Sequence, residues 1–123
     1  MKIALTSSGP DLKSDLDPRF GRCPFFIIYD TENNQFEIIE NSNISGMGGV
    51  GIQSAQMMAD KDVKVIITGN CGPNAFRTLN AAGIQLITGA KGTVEEAIQE
   101  YKKGNLKPAD QSNVEPHSGL NSR

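Results

Sequence analysis

Short apolar runs alternate with polar and glycine-rich breaks along the chain, and the spacing of the apolar positions turns from strand-like to helical beyond the first third. Ile3 and Leu5 flank one small residue and run into the polar cluster Thr6-Ser7-Ser8-Gly9-Pro10, which predicts a strand over 2–6. Residues 11–22 are polar and contain Asp17-Pro18, the composition of a long loop that delivers Phe20-Gly21-Arg22-Cys23. Residues 25–29 are continuously apolar, as in a strand buried on both faces. Thr31-Glu32-Asn33-Asn34 then supplies a turn, and 35–40 is expected to close an antiparallel hairpin.

After a Ser- and Gly-rich stretch, Ile52, Ala55 and Ala59 recur at helical spacing opposite Gln53, Gln56 and Asp60. The β-branched run 63–68 ends at Gly69-Asn70-Cys71-Gly72, and Pro73 suits the first turn of a second helix with Phe76, Leu79 and Ala82 on its apolar face and Gly83 as its stop. A short strand over 84–87 follows. Thr93 and Glu96 fit a capping box, and Val94, Ala97, Ile98 and Tyr101 line the helix it begins, which Gly104 ends. The order β-β-β-α-β-α-β-α, with right-handed crossovers between the later strands, predicts a mixed sheet with helices on both faces. Beyond Pro108 the residues are almost all polar, so 110–123 is expected to be disordered, and the chain divides into one domain over 1–107 and a tail over 108–123.

A length of 123 residues allows one core. The formal net charge is −2 and no run of like charges occurs, which argues against a nucleic acid partner. No stretch approaches the roughly 20 apolar residues of a membrane span, so a cytoplasmic protein is expected. In that compartment the two cysteines, Cys23 and Cys71, would be thiols.

If the first strand runs upward, the loops after Thr6, around 20–23, at 45–50, at 69–73 and at 89–93 all fall at one edge, with the three helix N-termini. If the fourth strand pairs beside the first, the strand order switches direction there, which is where open α/β sheets bind ligands. Helix N-termini offer N–H groups and partial positive charge, so an anion is the natural guest. Candidate binding residues are Ser7 after the first strand; Phe20, Gly21, Arg22 and Cys23 in the long loop; Met47, Gly48 and Gly49 before the first helix; Asn70, Cys71 and Gly72 before the second; and Lys91, Gly92 and Thr93 before the third.

Gly46-Met47-Gly48-Gly49-Val50-Gly51 spells a dinucleotide fingerprint, but the chain has Gly69-Asn70-Cys71 where that site needs an acid, and Ile52-Gln53 where a phosphate loop needs Lys-Ser/Thr. An anion-facing loop is the better reading. Cys23 beside Arg22, and Cys71 just before a helix, sit in settings that lower a thiol pKa, and both are candidate metal ligands; two small packed hydrophobes are the plain alternative. Two thiolates cannot complete a tetrahedral zinc site, and the single histidine, His117, lies in the tail. Met47 is either a soft thioether ligand or a mobile contact. No carboxylate pair, Ser-His pair or Cys-His pair is assembled at this edge; Asp15 and Asp17 are the nearest acids, read as parts of a solvated loop. The chain is therefore expected not to be an enzyme.

Five segments, in this order, carry a resemblance: Phe20-Gly21-Arg22 before an aromatic strand, Gly48-Gly49-Val50-Gly51-Ile52-Gln53, Gly69-Asn70-Cys71-Gly72-Pro73-Asn74-Ala75, Gly92-Thr93-Val94-Glu95-Glu96-Ala97 and Tyr101-Lys102-Lys103-Gly104-Asn105-Leu106. Over about 1–107 the chain resembles the dinitrogenase iron–molybdenum cofactor biosynthesis family, small proteins similar to the carrier NifX and the C-terminal domain of NifB. The resemblance implies a ribonuclease H-like three-layer α/β/α sandwich with a five-stranded mixed sheet. It also implies binding of an anionic metal–sulfur cluster, iron–sulfur or molybdenum-containing, or of a cofactor precursor, held for storage or transfer. A different class of reading keeps the same edge but makes it a regulatory or assembly module for a redox or nitrogenase-like protein partner, without metal. A homodimer that closes the site is a further expectation.

Overall fold

The computed structural model describes residues 1–41 and 50–109, apart from the side chain of Val50. The elements are β1 (Lys2–Ser7), β2 (Phe25–Asp30), β3 (Phe36–Glu40), α1 (Val50–Asp60), β4 (Val63–Ile67), α2 (Pro73–Ala81), β5 (Gln85–Ile87) and α3 (Val94–Lys102), in the order the sequence predicts. The expectation for 110–123, and the candidates Met47, Gly48, Gly49 and His117, lie outside the described residues.

The strands form one sheet in the order β3-β2-β1-β4-β5. The hairpin strands pair antiparallel and β1, β4 and β5 pair parallel, so the direction of the strand order switches at the β1–β4 junction. Because β1 is central, its residues from Ile3 to Ser7 are all buried. Alternate positions feed two cores. Ala4, Phe26, Ile28, Ile66 and Leu86 pack with Ala55 and Met58 of α1 and Ala75 and Leu79 of α2. Ile3, Leu5, Ile27, Tyr29, Val65, Ile67 and Ile87 pack with Val94, Ala97 and Ile98 of α3. The molecule is thus a three-layer α/β/α sandwich, with two helices on one face and one on the other.

Two helix faces differ from their periodicity. In α1 the buried positions are Ser54, Ala55 and Met58, while Ala59 is exposed and Ile52 half-buried. The helix is rotated so that its small residues meet α2: a Cβ at Gly51 would lie 3.0 Å from the Cβ of Ala75. The starts of α1 and α2 therefore stand side by side. In α2, Ala75 and Leu79 are buried, and Ala82 is not on the apolar face because the helix has ended; its N–H caps Thr78 and Leu79. The expected stops, Gly83 and Gly104, take φ of +77° and +79°.

Candidate functional site

Residues 8–24 cross the edge formed by the C-terminal ends of β1, β4 and β5, laced down by backbone bridges of Ser7 to Leu16, Asp15 to Thr93 and Arg19 to Asn70. Two apolar pegs explain why a mostly polar segment lies flat: Leu16 is buried in the α3-side core and Leu12 packs against it. At the strand-order switch, Thr6 Oγ lies 2.6 Å from the carbonyl of Asp17 and 2.8 Å from the hydroxyl of Thr68. Its single proton goes to the carbonyl, so it accepts from Thr68. The crevice at the switch point is filled by this segment, and the open space lies beside it.

The starts of α2 and α3 at this edge differ. The α3 start is closed. Thr93 N–H donates to Glu96 Oε1 at 2.9 Å and Glu96 N–H to Thr93 Oγ1 at 3.1 Å, the expected capping box. Val94 N–H donates to Ser14 at 2.9 Å and Glu95 N–H to Leu12 at 2.8 Å. The first donors of this helix are taken by the protein itself, which corrects the expectation that all three helix starts offer their N–H groups.

At the α2 start no side chain caps the helix: Gly72 is the N-cap, Pro73 follows, and Phe76 N–H returns to Gly72. A cavity of about 170 Å³ lies against it, lined by Arg19, Phe20, Asn70, Cys71 and Gly72. Its walls are held by the loop crossing: Asn70 N–H donates to Pro18 at 2.6 Å and Phe20 N–H to Asn70 at 3.1 Å. Gly69 is required here, since a Cβ would sit 2.8 Å from Pro18 Cα. Phe20 is buried edge-on to Phe26, ring centroids 5.7 Å apart.

Arg19 supplies the cavity's full positive charge. Its Nε and Nη2 donate to the two carboxylate oxygens of Asp17, each at 3.1 Å, and its N–H donates to Oδ1 at 2.9 Å. Asp17 is only 6% exposed, so it is a buried anchor and not the solvated loop acid expected from its surroundings. Its side-chain and charge interactions raise the Arg19 pKa further. Arg19 was not singled out by its sequence context, and Arg22, which was, is exposed and not among the residues lining the cavity. The usable signal was Asp17-Pro18-Arg19 itself: an Asp two residues before an N–H donor, with proline fixing the turn. Asn41 was also missed. Its buried amide donates to the carbonyls of Gly21 and Cys23, at 2.9 and 2.8 Å, and fixes the end of the loop.

Cys23 and Cys71 share the α1/α2-side core, are not disulfide-bonded, and are 0% and 2% exposed. Burial pushes both thiols up to about 12, aided at Cys23 by the nearby charge of Asp17. This reverses the expected lowering, because desolvation penalises a thiolate more than the neighbouring loop and helix start favour it. Cys71 Sγ is 3.6 Å from the carbonyl of Gly72 at the cavity wall. Among the other candidates, Ser7 is buried and bonded to its own turn at Gly9, Gly21 is buried with φ +97°, and Lys91 and Gly92 are exposed at the α3 side, where Gly92 accepts from Leu16 N–H. Among the described residues no group of three or more His, Cys, Asp or Glu side chains is placed to hold a metal ion, and no helix is long and apolar enough to cross a membrane.

A five-stranded mixed sheet between helix layers, with a small cavity against a helix start, defines a class of compact three-layer α/β/α domains. Within that class, the chain belongs to the dinitrogenase iron–molybdenum cofactor family, which it matches over residues 1–104. The apo orange protein from Desulfovibrio gigas is 36% identical, with a TM-score of 0.89 over 92% of this chain and 96% of that one. A NifB-like protein from Thermotoga is 41% identical, with a TM-score of 0.77 over 87% and 91% of the two chains. An uncharacterized protein of Methanocaldococcus jannaschii is 38% identical over 109 residues, 86% of this chain and 89% of that one. The family context is metal-cluster cofactor assembly, and its members are non-catalytic carrier or assembly proteins.

Proposed function

We propose that this protein carries an anionic metal–sulfur cluster, iron–sulfur or molybdenum-containing, or an iron–molybdenum cofactor precursor, as non-covalent cargo at the α2 start. The observation that carries this reading is the joining, in one cavity, of an uncapped helix start and Arg19. A helix start presents roughly half a positive charge with N–H donors aimed outward. Arginine has five donors in a fixed fork, two of which engage Asp17, and the remainder serve terminal sulfide or oxo groups. The aromatic wall of Phe20 excludes water and strengthens those contacts.

The donor set favours holding over ligation. Two buried thiols at about 12, with no third ligand among the described residues, do not make a thiolate cage, so a finished cluster fits better than bare metal ions. Cys71 is the sulfur closest to the cargo on this reading, and Cys23 serves packing. Arg22 and Lys91, both exposed, then belong to the approach surface for a protein that delivers or receives the cargo.

The test is elemental analysis and an absorption spectrum of protein purified without oxygen, before and after iron, sulfide and molybdate are offered, for wild type, Arg19→Ala and Cys71→Ser. A chromophore weakened in Arg19→Ala and kept in Cys71→Ser is the expected result. Loss only in Cys71→Ser would mean covalent ligation, and absence of metal from every sample would leave the edge to a protein partner.

A further inference from the structure

Five strands about 4.8 Å apart span more than one helix, about 10 Å wide, can cover. On the α1/α2 face two helices share the sheet; on the other, among the described residues, α3 is the only helix, with Leu12, Leu16 and Leu106 beside it. The strand that the described residues leave uncovered on that face is β3. Phe36 and Ile38, which pair with Tyr29 and Ile27 on the α3 side, are 44% and 40% exposed. The two edges of the sheet are also treated differently. Along β5, Ala109 N–H donates to Leu86 at 2.6 Å, so the following chain occupies that edge. Along β3 the described residues put a strand on one side only, and none of its five residues is Pro or Lys, the usual guards against edge pairing.

The backbone groups fix what this edge accepts. Asp30 N–H donates to Gln35 and Asn41 N–H to Pro24. In an antiparallel ladder this turns the odd-numbered β3 groups toward β2 and those of Phe36, Ile38 and Glu40 outward. The geometry points to a second copy of this chain as the occupant, paired antiparallel through β3 about a two-fold axis at Ile38. In that register Ile38 faces Ile38 of the other copy and Phe36 faces its Glu40, so every outward residue of the strand has a backbone partner. Charge agrees with it. Glu37, already paired with Lys61 at 3.1 Å, falls opposite Ile39, and no two carboxylates face each other across the junction. The contact is isologous, as two-fold pairing demands. It is small beside the roughly 1,200–2,000 Å² of stable interfaces, so the association depends on concentration. Because β3 ends at the ligand edge and its copy runs the other way, the two cavities face opposite ends of a continuous sheet, and the dimer does not close the site. This inference is independent of the cargo.

Sedimentation velocity of the full chain over a concentration series tests it. Wild type is expected to shift from monomer to dimer, and Ile38→Lys to remain monomeric with an unchanged thermal transition. Ile38→Cys chains treated with diamide are expected to cross-link to one another, while Glu32→Cys chains, at a more exposed position on the same hairpin, are not. If Ile38→Lys loses its fold, the cross-linking contrast decides. A wild type monomeric at every concentration, a dimer that survives Ile38→Lys, or equal cross-linking at both positions overturns the proposal.

Discussion

The starts of α2 and α3 point at the same edge of one sheet and meet different fates. Thr93 and Glu96 close the α3 start on itself, and Leu12 and Ser14 take its next donors. Gly72 and Pro73 begin α2 without a side-chain cap, and a cavity with Arg19 on its wall lies in front of it. The difference teaches that a helix start is left available by what its cap residues leave undone. A capping box makes a stable end; Gly-Pro makes an available one.

The comparison can be broken first at the loop crossing. Gly69→Val should cost about 1–3 kcal/mol, because the new side chain meets Pro18 backbone and not a mobile group. Urea unfolding measures it, and a neutral result would mean the loop yields freely. Next comes binding. Arg19→Ala should weaken cluster retention by about tenfold, on the order of 1.4 kcal/mol, and also lower stability because the buried Asp17 carboxylate loses two donors, whereas Lys91→Ala on the α3 side should change neither. Equal losses in the two variants would erase the distinction between the two starts. Thr93→Ala sharpens it from the other side: about 1 kcal/mol of stability should go, with metal content unaltered.

The smallest effect at neutral pH is that of the thiols. Their folded values, about 12, lie above the ordinary value of about 8.5, so the folded protein keeps protons that the unfolded chain gives up. The stability they contribute is complete below about pH 8.5 and is lost as pH rises toward the folded values. Denaturant melts at pH 8 and pH 10 should show this decline, less steeply in Cys23→Ala than in wild type. Parallel declines would mean that Cys23 stays protonated in both states or in neither.

The element order and the capping box were legible because each is written in local spacing and cap residues, whereas the pairing of β4 beside β1 is long-range and entered only as a premise. The rotation of α1 was not, since Ile52, Ala55 and Ala59 satisfy helical spacing as well as Ser54, Ala55 and Met58 do; contact between Gly51 and Ala75 decides between them. At the site, Phe20, Asn70, Cys71 and Gly72 came from loop convergence, which topology alone predicts. Arg19 did not. Both Arg19 and Arg22 sit in the same polar run, and only the burial of Asp17 tells which one is held at the cavity. The thiol shifts were misread for a related reason: sequence neighbours report nearby charge but not the depth at which a side chain is placed.

The lacing of residues 8–24 across the sheet bears on how cargo would exchange. Its backbone bonds to Asn70, Gly92, Val94 and Glu95 are made within the protein, so the entropy of ordering this wall is spent in folding and does not recur at each loading. If the protein carries the proposed anionic cargo, what separates the empty from the loaded form on this wall is electrostatic attraction, which a 0.1 M salt solution screens over about 10 Å. Retention of cargo should therefore fall with ionic strength while the melting temperature of the empty protein changes little, which lets a recipient draw cargo out by offering a stronger field without unfolding the carrier.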